Sequence, residues 1–113
     1  MERGLSGKFL KPVALKTSTG IRYFDYDEII LFKAVGHNAE CITVDCDSAI
    51  KIYHNLAYIE EKYCNEMFGR CNKSTIVNLK HIKCLEIKTR KILLTNKLEL
   101  KISENFLKLL RNI

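Results

Sequence analysis

At 113 residues the chain is the size of one domain, able to bury roughly 65% of its unfolded surface and so to form a core without staples. A content of 47% hydrophobic and 28% charged residues is ordinary for a globular protein, and no long apolar run or N-terminal signal pattern points to a membrane or to secretion. The net charge of +6 is uneven: residues 1–66 carry 8 basic and 10 acidic side chains, a balance of −2, whereas residues 67–113 carry 11 and 3, a balance of +8 that attracts polyanions.

In chain order, short apolar bursts rich in Ile, Val, Leu, Tyr and Phe alternate with small polar clusters, which is a strand-and-turn rhythm. Pro12 marks entry into a first strand at residues 13–16, followed by strands at 21–24, 29–34, 41–45 and 50–53. Turns at 17–20, 35–38 and 46–48 contain Gly, Asn, Asp or Ser, which tolerate tight backbone, and connections this short favour antiparallel neighbours. Asn55 can cap a helix running to about Tyr63, with Leu56, Ile59 and Tyr63 at helical spacing and Glu60 and Glu61 on the exposed side. Residues 68–82, reading FGRCNKSTIVNLKHI, set Arg70, Asn72, Lys73 and Ser74 directly before the apolar pair Ile76 and Val77. Polar donors at the entrance of a strand at 75–77 suggest a recognition edge, with Val77 as core and Asn78 bonding nearby backbone. Strands at 81–87, 92–95 and 98–102 follow, separated by turns at 88–90 and 95–97. The last alternates cleanly, with Leu98, Leu100 and Ile102 on one face and Glu99 and Lys101 on the other. Ser103 then caps a helix over 104–111, with Glu104 in its first turn, Phe106, Leu107 and Leu110 as the buried stripe, and Lys108 and Arg111 outside.

Little in the chain suggests catalysis. The cysteines Cys41, Cys46, Cys64, Cys71 and Cys84 are odd in number and lack C-x-x-C spacing, which fits small buried hydrophobes in a reducing, cytoplasmic setting. Cys71, His81 and Cys84 group loosely but without the ligand-pair spacing of zinc sites. Asp25 with Asp27, and Asp45 with Asp47, flank turns where Asp is common, and the glycines never cluster into a phosphate loop. The expectation is a non-enzyme with no metal, cofactor, membrane anchor or small-molecule substrate.

The block at 68–82, an aromatic followed by R-x-x-x-S-x-x-V-N-x-x-x-I, resembles the signature of the LytTR family of DNA-binding domains. The segment YDEIILFKAVGHN at 26–38 is similar to the family's first half, Asn55, Leu56, Ile59 and Glu60 to its N-L-x-x-L-E helix, and residues 98–106 to its closing strand and turn into the last helix. The resemblance implies a mainly β domain over residues 11–113, after an extension at 1–10. Its fold would be about ten short strands in small antiparallel sheets, with one short central helix and a C-terminal helix. It implies binding of double-stranded DNA as a transcriptional regulator, through loops inserted into successive major grooves rather than a recognition helix. Pairs of domains on repeated half-sites are the geometric expectation if the protein forms a homodimer on DNA.

Carried over residue by residue, base contacts fall to the loop at 35–39 with His37, Asn38 and Ala39, to Asn72 and Lys73, and to Asn105. Asn can pair bidentately with adenine and Lys can donate to guanine O6 and N7. Arg70, Ser74, Lys91, Lys101, Ser103 and Lys108 are the candidate phosphate contacts. The chain departs from the family pattern at Asn72 and Lys73, where His-Arg is frequent, at Thr75 for a frequent Tyr, at Lys33 for an acidic residue and at Glu104 for a basic one. Base preference therefore does not transfer. The alternative is a protein-interaction module on the same fold that has lost base reading. The family's frequent companion, a phosphorylation receiver, has no room in these 113 residues.

Overall fold

The computed structural model describes residues 12–46, 48–64 and 66–112; the expected extension at 1–10 and Asp47, in the expected turn at 46–48, lie outside them. Within these residues ten strands form three antiparallel sheets, accompanied by two helices. A hairpin of β1 (Val13–Thr17) and β2 (Gly20–Phe24) comes first. Strands β3 (Ile29–Val35), β4 (Asn38–Thr43), β5 (Ile50–Ile52), β6 (Phe68–Asn72) and β7 (Thr75–Asn78) build a five-stranded sheet in the order β5-β4-β3-β7-β6. Strands β8 (Ile82–Glu86), β9 (Lys91–Leu94) and β10 (Glu99–Lys101) make the third sheet, in the order β10-β9-β8. Helix α1 (Leu56–Tyr63) precedes β6, and α2 (Glu104–Arg111) closes the chain.

The five-stranded sheet is buried on both faces, and two cores result. On one face Phe32, Ala39, Cys41, Ile52, Phe68 and Ile76 pack with Val13, Leu15 and Phe24 of the first hairpin and Leu56, Ile59 and Tyr63 of α1. On the other, Leu31, Cys71 and Val77 pack with Ile92 and Leu94 of β9, with Ile102 just after β10, and with Phe106 of α2. The run IILF in β3 serves both: a register shift between Ile29 and Leu31 lets the consecutive Ile30 and Leu31 join the second core while Ile29 and Phe32 join the first. Phe32 and Phe68 meet with ring centroids 5.8 Å apart at a tilted 52°, a geometry worth about 0.5–1.5 kcal/mol beyond the area buried. Asn78, fully buried, donates from Nδ2 to the carbonyls of Tyr26 (2.7 Å) and Ile29 (2.9 Å) and accepts from the Lys80 N–H (3.0 Å). It joins the end of β7 to the entrance of β3.

Both helices start as their sequences predict. The Asn55 side chain accepts from Tyr58 N (2.8 Å), and Ser103 Oγ accepts from Phe106 N (3.1 Å). Phe106 anchors α2 against β6 at Gly69, where a Cβ would lie 2.8 Å from Phe106 Cε1, so only glycine admits the ring this close. Three elements differ from expectation. Residues 68–72 form a full strand, not merely a strand entrance; β4 begins at Asn38, not at 41; and His81 belongs to a 3-10 turn (Leu79–His81) ahead of β8. The second follows from a tight hairpin: Val35 pairs with Asn38, leaving only Gly36 and His37 in the loop, with Gly36 at φ 60° as the first central residue of a II′-type turn requires.

Candidate nucleic-acid interface

Antiparallel pairing brings three chain segments to one end of the five-stranded sheet. Strand β3 runs towards that end and β7 leaves it, with Lys33 opposite Thr75, so the β3–β4 loop and the β6–β7 loop lie side by side. A hydrogen bond from Ala34 N to the Ser74 carbonyl (2.9 Å) ties them. Ser103 N donates to the Cys71 carbonyl (2.8 Å), which places the start of α2 against the same end of β6. The β8–β9 loop joins through Ile102 N and the Arg90 carbonyl (2.9 Å).

The β6–β7 turn is shaped by its own side chains. Arg70 donates from Nε to the Asn72 carbonyl (3.2 Å) and from Nη2 to the Lys73 carbonyl (2.7 Å), while Nη1 pairs with the Glu60 carboxylate of α1. Asn72 Oδ1 accepts from Ser74 N (2.9 Å) and lies 3.3 Å from Ser74 Oγ, and its Nδ2 donates to the Lys101 carbonyl (2.7 Å). These bonds leave the Lys73 side chain exposed at the summit. The β3–β4 tip is plainer: His37 is exposed and makes no side-chain hydrogen bond among the described residues, and Asn38 is half-buried. At the start of α2, Asn105 is exposed, and Glu104 stands 3.9 Å from Arg90 Nη1. The Glu104 carboxylate therefore both complements the helix N-terminus and is offset by a cation from the neighbouring loop.

The model for the LytTr DNA-binding domain matches residues 19–113. The chain belongs to the LytTR family. Among solved structures, the chain is similar to the LytTr DNA-binding domain of a protein from Bacillus cereus described as a methyl-accepting/DNA response regulator, with a TM-score of 0.72 and 21% identity over 91% of this chain and 95% of that one. At that identity the likeness shows the fold. No curated protein matches the sequence.

Within this LytTR domain the candidates drawn from sequence fall into two groups. His37, Asn38, Lys73, Ser74, Lys101, Ser103 and Asn105 gather at the shared end, and Lys91 and Lys108 are polar positions on β9 and α2. Lys91 lies 4.0 Å from Glu99, an exposed pairing that leaves its ammonium accessible. Three candidates are used otherwise. Ala39 is wholly buried in the first core and paired with Ala34 and Ile52, so its methyl meets no base. The Arg70 guanidinium is committed to Glu60 and two carbonyls, and it holds the turn. Asn72 spends its carbonyl on Ser74 and a donor on Lys101, which makes it a support for Lys73. Sequence reading placed Glu60 in solvent and missed Arg90; neither partnership has a local sequence signal, since both are made across the fold.

Chemistry elsewhere on the surface is sparse. No group of three His, Cys, Asp or Glu among the described residues could hold a metal ion, and no described helix is long and apolar enough to cross a membrane. An apolar groove of about 920 Å³, with Met67, Leu79, Ile82, Leu85 and Leu109 in its walls, opens at the other end of β6, where Phe68 pairs with Asn78. His81 bridges two segments there, 2.6 Å from the Asp27 carbonyl through Nε2 and 2.9 Å from Thr95 Oγ1 through Nδ1. The carbonyl partner fixes the proton on Nε2 in the neutral ring.

Proposed function

We propose that the chain is a sequence-specific duplex-DNA-binding module of a cytoplasmic transcriptional regulator, which reads the major groove through turns. The observation that carries this reading is the convergence of the β3–β4 tip, the β6–β7 tip and the start of α2 at one end of the sheet, the latter two within the half of the chain whose charge balance is +8. Lys73, His37 and Asn105 supply base-directed donors and acceptors, and Ser74, Lys91, Lys101, Ser103 and Lys108 supply phosphate contacts. Two such domains on half-sites about one helical turn apart fit a homodimer on DNA.

The alternative, an interaction module for an acidic partner, draws on Arg70 and Asn72 being turned inward and on Glu104 at the helix start. Selection on random duplexes, followed by a salt titration of the winning sequence, separates the two. DNA reading gives an enriched motif and a log affinity that falls by about 0.9 per phosphate contacted for each unit of log salt. Substituting Lys73→Ala or Asn105→Ala relaxes preference at particular bases by about 1–3 kcal/mol, whereas Lys108→Ala weakens all sequences alike. Enrichment of no motif, with affinity no better than for random duplex, supports the interaction module.

A further inference from the structure

The cross-strand register extends the reading end beyond its turns. Asn72 pairs with Thr75, Thr75 with Lys33, Lys33 with Glu40 and Glu40 with Lys51, a single row that crosses all five strands from the β6–β7 turn to the outer edge at β5. Strand alternation fixes the side on which this row stands. Leu31 and Ile42, two positions along from Lys33 and Glu40, pack in the second core, while Cys41 and Ile52, next to Glu40 and Lys51, pack in the first. Lys33, Glu40 and Lys51 thus share the face on which β10 and α2 sit, and that face also receives the Asn72 contact to Lys101. The third sheet and α2 cover its inner rows only: Lys33 and Lys51 are exposed and Glu40 is half-buried. The Lys51 ammonium lies 5.3 Å from the centroid of the Tyr53 ring, which restrains it without neutralising it.

We infer that Lys33 and Lys51 form a phosphate-binding stripe, which carries the DNA contact from the reading turns across β3 and β5 to the backbone flanking the groove. This rests on the DNA-binding reading above. With strands ~4.8 Å apart, Asn72 and Lys51 are separated by four spacings, about 19 Å, whereas the major groove is ~12 Å wide. A Lys73 seated against base edges therefore leaves Lys51 outside that groove, above its sugar-phosphate wall. Two ammonium groups on either side of one carboxylate leave a net positive row, and an exposed lysine suits a phosphate as a point charge. The acidic half of the chain thereby contributes cations where the DNA lies.

The test uses the whole chain and the duplex that the unaltered protein selects. In K33A, K51A and the double variant the selected motif stays the same, and the slope of log affinity against log salt becomes shallower by about 0.9 per lysine, which is roughly eightfold weaker binding per lysine at 0.1 M salt. E40Q has the opposite sign and binds more tightly, a result that loss of folding cannot imitate. K83A, an exposed lysine at the groove end, leaves both slope and affinity unchanged. If the unaltered protein selects a motif but the double variant keeps its slope and affinity, the stripe is overturned and DNA reading stands. If the unaltered protein selects no motif, both fall together.

Discussion

The β6–β7 tip is held from two sides, by Arg70 and by Asn72, which reaches the Lys101 carbonyl of the neighbouring sheet, whereas the β3–β4 tip is held by its own ladder and the backbone of Gly36. The two stand side by side at the same end, where under the proposed function both face the DNA, yet side chains brace one and not the other. The braced turn fixes the backbone of Lys73 before binding, so under the DNA-binding proposal only its side chain is ordered on contact, and strict discrimination is expected there. A tip without side-chain supports has more freedom to adjust, so under the same proposal His37 makes a contact that follows the DNA rather than dictating to it.

The sharpest way to break this contrast is Arg70→Ala. It removes two donors from the turn and the partner of the half-exposed Glu60, and a loss of about 1–3 kcal/mol in stability is expected by denaturant melting, with preference lost at the base proposed for Lys73. Arg70→Lys keeps the charge but not the fork, and the same loss of preference is expected; full retention would show that only the charge matters. Asn72→Ala comes next, at about 1–1.5 kcal/mol, because Ser74 N and the Lys101 carbonyl both lose a partner but remain near solvent. At the other tip, Gly36→Ala has room, with nothing within 4 Å of the added Cβ, so its cost of about 1 kcal/mol is backbone strain at φ 60° alone, and the motif selected by the folded protein is unchanged. The smallest effect on melting belongs to His37→Ala, within about 0.5 kcal/mol, with its consequence confined to DNA affinity. A larger shift would mean that the β3–β4 tip is supported after all.

The sequence discloses this domain unevenly, and the reasons are physical. Short apolar bursts between polar turns mark most strands, β3 with its unbroken IILF among them, and the Asn55 and Ser103 caps mark both helix starts because capping is local chemistry. Strand β6 escaped as an element: Gly69 and the polar Arg70 and Asn72 break its alternation, and the register shifts between Arg70 and Asn72, yet Gly69 is there to admit Phe106 from a helix far along the chain. Ala39 reads as part of the loop because a short and a longer turn look alike in sequence when Gly, His and Asn stand in a row, and only the pairing of Val35 with Asn38 separates them. The basic and amide residues of the 68–82 block read as one working edge, but Arg70 and Asn72 face partners that sequence cannot bring near, on α1 and β10. What the letters show is the donor; what the donor is spent on is decided by the fold.

Each of the two cores contains one wholly buried thiol, Cys41 in the first and Cys71 in the second. Burial pushes both up to about 12, so above pH 9 the unfolded chain releases these protons while the folded one retains them, and stability declines from there towards pH 12. Below that range the same pair is a natural clock for native-state opening. A thiol reagent marks each cysteine only after its own face of the sheet has parted, so equal labelling rates mean that the central sheet comes away from both layers in one cooperative step. Unequal rates would name the layer that leaves first.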